Sequence, residues 1–307
     1  MTRPTKPELP LLHGVNASAV ACPAGPWLLL LDFLAERLPM VSRDEWATRL
    51  ANGEVLAESG QALAPTARYA TGTRVFYYRQ LAHEEVIPFE AQVLYRDDCL
   101  LVADKPHFLP VTPKGRYVQQ TLLVRLQREL GLTNLSPVHR LDRETAGLTL
   151  FCIQPAHRDA YQRLFRERVV EKVYEAVAPF RQDLSLPLDY RSRLAEREDR
   201  FMQMHEVAGE ANAEMRISLI ERLAAGLAHY ELRPRTGMKH QLRAQMSALG
   251  MPIVGDRIYP VLQPEEAVPD YHRPLQLLAR SIAFTDPVTG QHRQFESRLR
   301  LVAAAGN

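Results

Sequence analysis

One stretch of this 307-residue chain concentrates groups that could do chemistry: His139-Arg140-Leu141-Asp142-Arg143-Glu144-Thr145-Ala146-Gly147-Leu148. Its carboxylates, cations and imidazole are the side chains that move protons and meet polar substrates. They come directly before an apolar run that reads as a buried strand, so a loop or sheet edge must carry them, where binding and catalytic residues concentrate. A solvated, salt-bridged turn has the same composition, and spacing alone does not choose between the two. Other chemistries lack their spacing: no GxGxxG, Walker or metal-ligand pattern occurs, and no nucleotide cofactor or metal is expected.

Composition narrows the setting. Apolar residues make up 46% and charged residues 24%, the balance of an ordinary globular protein with room for two medium domains or one large one. The longest unbroken apolar run, Trp27 to Leu31, is far below the roughly 20 residues a membrane-spanning helix needs. Near the N-terminus Pro4, Pro7, Pro10 and His13 interrupt any signal-like apolar stretch. Cys22, Cys99 and Cys152 are few, odd in number and far apart, which argues against disulfides and zinc and for a reducing cytoplasm. The net charge of +2 neither demands nor excludes a nucleic acid. Among the basic residues, 33 Arg stand against 5 Lys; GC-rich coding explains that bias, and so would a use for the bidentate guanidinium at phosphates.

The elements that must position the charged run can be read along the chain. Residues 1–27 read as an extended lead-in. Leu28 to Leu38 patterns as a helix stopped by Pro39, and Ser42-Arg43-Asp44-Glu45 has the form of a capping box for a second helix ending at Asn52-Gly53. Short strands follow at Glu54 to Ala57 and Arg74 to Tyr78, making a small α/β-hairpin domain over 28–85, with His83-Glu84-Glu85 and Pro88 as its linker. Over 86–307 the pattern predicts strands at Leu100 to Ala103, Leu148 to Ile153, Lys172 to Ala178, Ala228 to Leu232 and Leu277 to Phe284, the last continuing to Phe295. Helices are expected at Gln120 to Leu130, Ala156 to Arg168 and Lys239 to Leu249. This order fits an α+β domain with a mixed, largely antiparallel central sheet and flanking helices. With no heptad or long apolar edge, a monomer is expected.

Five segments in order resemble one family. His139-Arg140-Leu141-Asp142 with Thr145-Ala146-Gly147 is similar to the HRLDxxT(S/A)G signature of RluA-type pseudouridine synthases. Asp104-Lys105-Pro106 with Leu109-Pro110-Val111 resembles their KPxGLxV segment, and Glu171 to Val177 their KxYxAxV strand. Pro234 to Arg243 resembles TGRxHQ(I/L)R, and Leu249 to Asp256 with Tyr259 resembles LGxPIxGDxxY. His107-Phe108 and Met238-Lys239 depart from those patterns, at positions that would bear on the choice of RNA.

The resemblance implies the pseudouridine synthase fold and a cofactor-free isomerisation of a uridine in ribosomal or transfer RNA. Asp142 matches the catalytic aspartate, acting as nucleophile at the anomeric carbon or as base at the 2′ position. Arg243 matches the arginine that pairs with it, and Tyr174 the tyrosine that stacks on the flipped base. Arg140 matches the residue that enters the vacated stack. His139, Lys105, Arg143, Thr145, Lys172, Lys239, His240, Gln241 and Leu242 are expected as phosphate or pocket contacts. The domain over 28–85 resembles, more faintly, a small RNA-binding domain shared with a ribosomal protein, although residues 1–85 carry eight Lys plus Arg against nine Asp plus Glu. Two other readings stand beside the synthase: a catalytically silent RNA-binding or RNA-folding protein, and a hydrolase that releases free uracil.

Overall fold

The computed structural model describes residues 9–81, 83–196, 203–264 and 270–302. It divides into two compact units: the described residues up to Glu84 together with Gly115–Gln119, and the remainder.

The first unit holds β1 (Ser18–Ala21), α1 (Leu30–Arg37), α2 (Arg43–Ala51), β2 (Val55–Ala57) and β3 (Arg74–Tyr77). Its three strands are antiparallel in the order β1-β3-β2. Residues 18–21, expected within an extended lead-in, therefore form an edge strand on β3; only the pairing with distant residues 74–77 gives so short a segment its role, and residues 1–8 lie outside the described residues. Leu30, Leu31, Phe33 and Leu34 of α1 pack on Trp46, Leu50, Val55 and Val75. Ser42 Oγ accepts the Glu45 N–H at 3.2 Å, capping α2, while the Glu45 carboxylate holds Arg49 one turn on.

The second unit is built on a sheet that, among the described residues, has eleven strands. They are β4 (Gln92–Arg96), β5 (Leu100–Lys105), β6 (Ser136–Pro137), β7 (Ala146–Cys152), β8 (Glu171–Pro179), β9 (Leu188–Glu196), β10 (Met204–Val207), β11 (Ala213–Arg222), β12 (Leu227–Pro234), β13 (Leu277–Thr285) and β14 (His292–Glu296). The order is β10-β9-β11-β12-β8-β13-β7-β5-β4, with β14 on β13 and β6 on β7. Pairing is antiparallel throughout except between β13 and β7, so the sheet is mixed and largely antiparallel. Every residue of β5 and β7 is buried, as their continuous apolar runs require.

Among the described residues three α-helices flank the sheet: α3 (Leu122–Leu130), α4 (Arg158–Arg166) and α5 (Gln241–Ala248). Thr121 caps α3 and Gly131, at φ +67°, ends it. The basic helix expected from Ala156 to Arg168 is shorter, because Pro155–His157 form a 3₁₀ turn and Arg168 sits at φ +59°. One core packs Ala176, Tyr230, Leu232 and Ile217 under Leu242 and Met246 of α5; another packs Leu148, Leu150, Ile282 and Phe284 against Tyr161 of α4. No helix among the described residues is long and apolar enough to cross a membrane.

Candidate active site

The charged run 139–145 connects β6 to β7 and is pinned at both ends. Val138 N–H bonds Leu150 O at 2.9 Å, and Thr145 N–H closes a turn on Asp142 O at 3.2 Å. Gly147 follows at φ +108°, and a Cβ there would lie 2.3 Å from Ala279 O, so only glycine lets β7 meet β13 this closely. The loop is also tied from β5. The buried Lys105 ammonium donates to Pro106 O (3.0 Å), Leu109 O (2.8 Å) and Arg143 O (3.1 Å). His107 Nδ1 lies 2.7 Å from Glu144 O, and since a carbonyl only accepts, that nitrogen carries the proton.

Asp142 meets its partner from the other end of the domain. Arg243, on the first turn of α5 and about 1% exposed, donates Nη1 to Asp142 Oδ2 at 3.1 Å. Its Nε and Nη2 fork onto Asp256 at 2.8 and 2.7 Å, and Glu144 stands 4.0 Å from Nη1. Burial opposes the guanidinium charge, but the pairs with Asp256, Asp142 and Glu144 outweigh it and hold Arg243 above its ordinary range. Asp256 also accepts the N–H groups of Ile258 (2.8 Å) and Tyr259 (3.0 Å), which fixes the loop that follows Gly255. The Asp142 side chain remains 29% exposed, the one open side of an otherwise clamped carboxylate pair.

Tyr174 lies on β8, opposite Leu232 and Ala279, and packs on the core beneath α5. Burial first and Asp142 second push its phenol upward, so it is a neutral ring suited to stacking rather than a phenolate. Lys172, two residues earlier and so on the same face, donates to Thr236 O at 3.0 Å; burial, then Arg168, lower it to about 8. His139 stacks on Phe165 at 4.6 Å and accepts Leu150 N–H at Nε2, and burial holds it near 3, so it is a neutral brace for the loop.

The remaining expected contacts separate. Arg140 is exposed; Arg143 pairs with Glu144 at 2.8 Å and Lys239 with Glu196 at 2.8 Å. His240 has a side chain only 10% exposed. Four residues expected to touch substrate are buried instead. Lys105 satisfies three carbonyls, Thr145 closes the Asp142 turn, and Leu242 packs in the core. Gln241 accepts Thr236 Oγ1–H (2.7 Å) and Met238 N–H (3.1 Å) and donates to Glu214 O (3.0 Å). Lys105, Thr145 and Gln241 each brace a turn beside the site.

Sequence reading assigned no role to Asp256 or Glu144, the other two carboxylates around Arg243. Asp256 carried a signal in its place within the LGxPIxGDxxY match, and the Gly255 before it adopts φ +78° with Pro274 O 2.4 Å from any Cβ, a tightly built turn. Among the described residues no cluster of three or more His, Cys, Asp or Glu could hold a metal ion. The arrangement presents one partly open carboxylate, oriented by a buried arginine, beside an aromatic ring.

Comparison with known proteins places this geometry. The family profile described as RNA pseudouridylate synthase matches residues 99–248, from β5 through α5. An uncharacterized RNA pseudouridine synthase of Synechocystis is 30% identical over 233 residues, 75% of this chain and 79% of that protein. The dual-specificity RNA pseudouridine synthase RluA of Escherichia coli K12 is 32% identical over 214 residues, 67% of this chain and 91% of RluA. The structure of human RNA pseudouridylate synthase domain containing 1 shares the fold, with a TM-score of 0.56 at 22% identity, over 68% of this chain and 84% of that one. With the signature loop, the tyrosine strand and the arginine helix converging on one carboxylate, the chain belongs to the RluA family of RNA pseudouridine synthases.

Proposed function

We propose that this enzyme converts a uridine of ribosomal or transfer RNA to pseudouridine in the cytoplasm, as a monomer, with Asp142 as the carboxylate that acts on the ribose. The bond from C1′ to N1 breaks, the base turns, and C1′ joins C5; a proton leaves C5 and one is gained at N1, so no electron or external group is required. Asp142 serves either by adding to C1′ or by removing the 2′ proton to give a glycal. The observation that carries this reading is the 3.1 Å contact from Arg243 to Asp142, which sets a buried cation against the carboxylate and orients it toward the sugar. Tyr174 supplies the ring on which the extruded base rests. Arg140, exposed on the same loop, fills the gap left in the RNA stack, where a guanidinium both stacks and meets phosphate.

The test is nucleoside analysis of ribosomal and transfer RNA that lack the modification, incubated with the protein, digested and separated by chromatography. Pseudouridine gained mole for mole against uridine is expected. Free uracil would mean a hydrolase, and unchanged uridine on RNA that the protein binds would mean a silent binder.

A further inference from the structure

His240 has the least ordinary backbone of the site residues. It precedes α5 at φ 50° and ψ 20°, the left-handed region that costs a residue bearing a Cβ about 1 kcal/mol or more, and its side chain does not cap the helix. Its ring turns into the site. Nε2 lies 3.8 Å from Asp142 Oδ1, while Arg243 engages Oδ2 from the first turn of the helix that follows. Nδ1 lies 3.4 Å from the Tyr259 hydroxyl, with the two rings edge-on at 5.9 Å.

One tautomer serves both contacts of the ring. Tyr259 oxygen accepts Met204 N–H at 2.7 Å, so the phenol's own proton is free to point at His240 Nδ1. With Nδ1 accepting, the ring proton sits on Nε2 and faces Asp142. Burial lowers the histidine below its usual range against the opposing pull of Asp142, so the ring carries one proton at neutral pH. Arg243, Lys239, Asp256 and Glu196 are the other charged groups acting with it. A neutral, nearly buried imidazole is a poor phosphate contact, which is the role its position in the motif first suggested.

Resting on the synthase reading, we propose that His240 is a positioning residue, whose Nε2–H holds Oδ1 of Asp142 while Arg243 holds Oδ2, so that the carboxylate meets the sugar in one orientation. At 3.8 Å the contact is longer than a hydrogen bond, and it tightens when a bound base shuts out water, as catalytic contacts commonly do.

Two substitutions separate this from a purely structural role. Asparagine tolerates the left-handed backbone but ends at the position of Nδ1; glutamine tolerates that backbone less well but carries its amide nitrogen as far beyond Cβ as Nε2. His240→Asn is expected to lower the single-turnover rate about 100-fold with RNA affinity unchanged, and His240→Gln to recover most of the rate. The reverse order, tracking thermal stability, would overturn the proposal. An activity-independent measurement is the ¹⁵N NMR spectrum of the imidazole. It should show Nε2–H at pH 7 and a further fall in the histidine pKa in Asp142→Asn. An Nδ1–H tautomer, or no response to Asp142→Asn, would overturn the proposal even if the enzyme proves to act on no RNA, whereas silence of the wild type with the expected spectrum would count against the synthase reading alone.

Discussion

Asp256→Asn is the sharpest structural perturbation of the site. Arg243 and Asp256 are each about 1% exposed and share two parallel hydrogen bonds of 2.7 and 2.8 Å. Asparagine keeps an oxygen for the Ile258 and Tyr259 N–H groups, but its NH₂ faces a guanidinium that only donates. Removing one partner of a buried pair costs about 3–5 kcal/mol, and because Arg243 keeps Asp142 and Glu144 the lower end applies, about 3 kcal/mol. For a unit of this size each kcal/mol moves the midpoint by about 2–4 °C, so Tm should fall by about 6–12 °C. Far-UV circular dichroism is the readout, since Trp27 and Trp46 both lie in the first unit and their fluorescence does not report on this site. The freed guanidinium no longer fixes Asp142, and the rate of isomerisation should fall about 100-fold. A shift under about 2 °C with an unchanged rate would refute the argument that Asp256 anchors the arginine.

Three further expectations follow from the same contacts. Phe108 sits at φ 66° where the family pattern has glycine, and its ring packs with Phe89 (6.0 Å) and Tyr271 (5.1 Å). Phe108→Gly relieves about 1–3 kcal/mol of strain but forfeits about 3–5 kcal/mol of packing, so denaturation should show a net loss, and a more stable variant would contradict this. His107 and His139 are lowered, by burial first, to about 4 and about 3, while unfolded they titrate near 6.5. The unfolded chain then binds more protons below pH 6.5, so stability is full above that value and falls by about 1.4 kcal/mol per pH unit for each histidine as pH drops toward 4. Urea midpoints at pH 7 and pH 5 measure this, His139→Gln should weaken the dependence, and a flat profile would refute it. In RNA binding, Arg140→Ala should reduce the slope of log K against log salt by about 1, whereas Lys105→Met, at a buried ammonium, should leave the slope unchanged. Equal slopes for the two variants would contradict the assignment.

The sequence told more about the chemistry than about burial. The match to the family motifs brought Asp142, Tyr174 and Arg243 forward, and strands such as β5 and β7 stood out because both faces are apolar. The segments that became β9, β10 and β11 went unread. Asp189, Arg191 and Arg193 of β9, with Glu214 and Arg216 of β11, line a charged face that resembles loop composition, and a bulge between Leu219 and Glu221 breaks the alternation of β11. Lys105 was misread for the opposite reason. Charge type suggests solvent or phosphate, but three converging carbonyls satisfy the amino group in the interior, where burial lowers it to about 7, and only tertiary structure brings Arg143 O to it. Asp256 stayed unassigned because its partner sits on α5, beyond a turn whose path is set by Gly250 and Gly255 at positive φ.

The central claim is that Asp142 performs the isomerisation, and the most direct measurement is tritium release from RNA carrying [5-³H]uridine at unmodified sites. Wild-type protein should release tritium to water, and Asp142→Ala should bind the same RNA with comparable affinity and release none. Release by Asp142→Ala at the wild-type rate would contradict the account, because the reaction would then proceed without the carboxylate that Arg243 is built to hold.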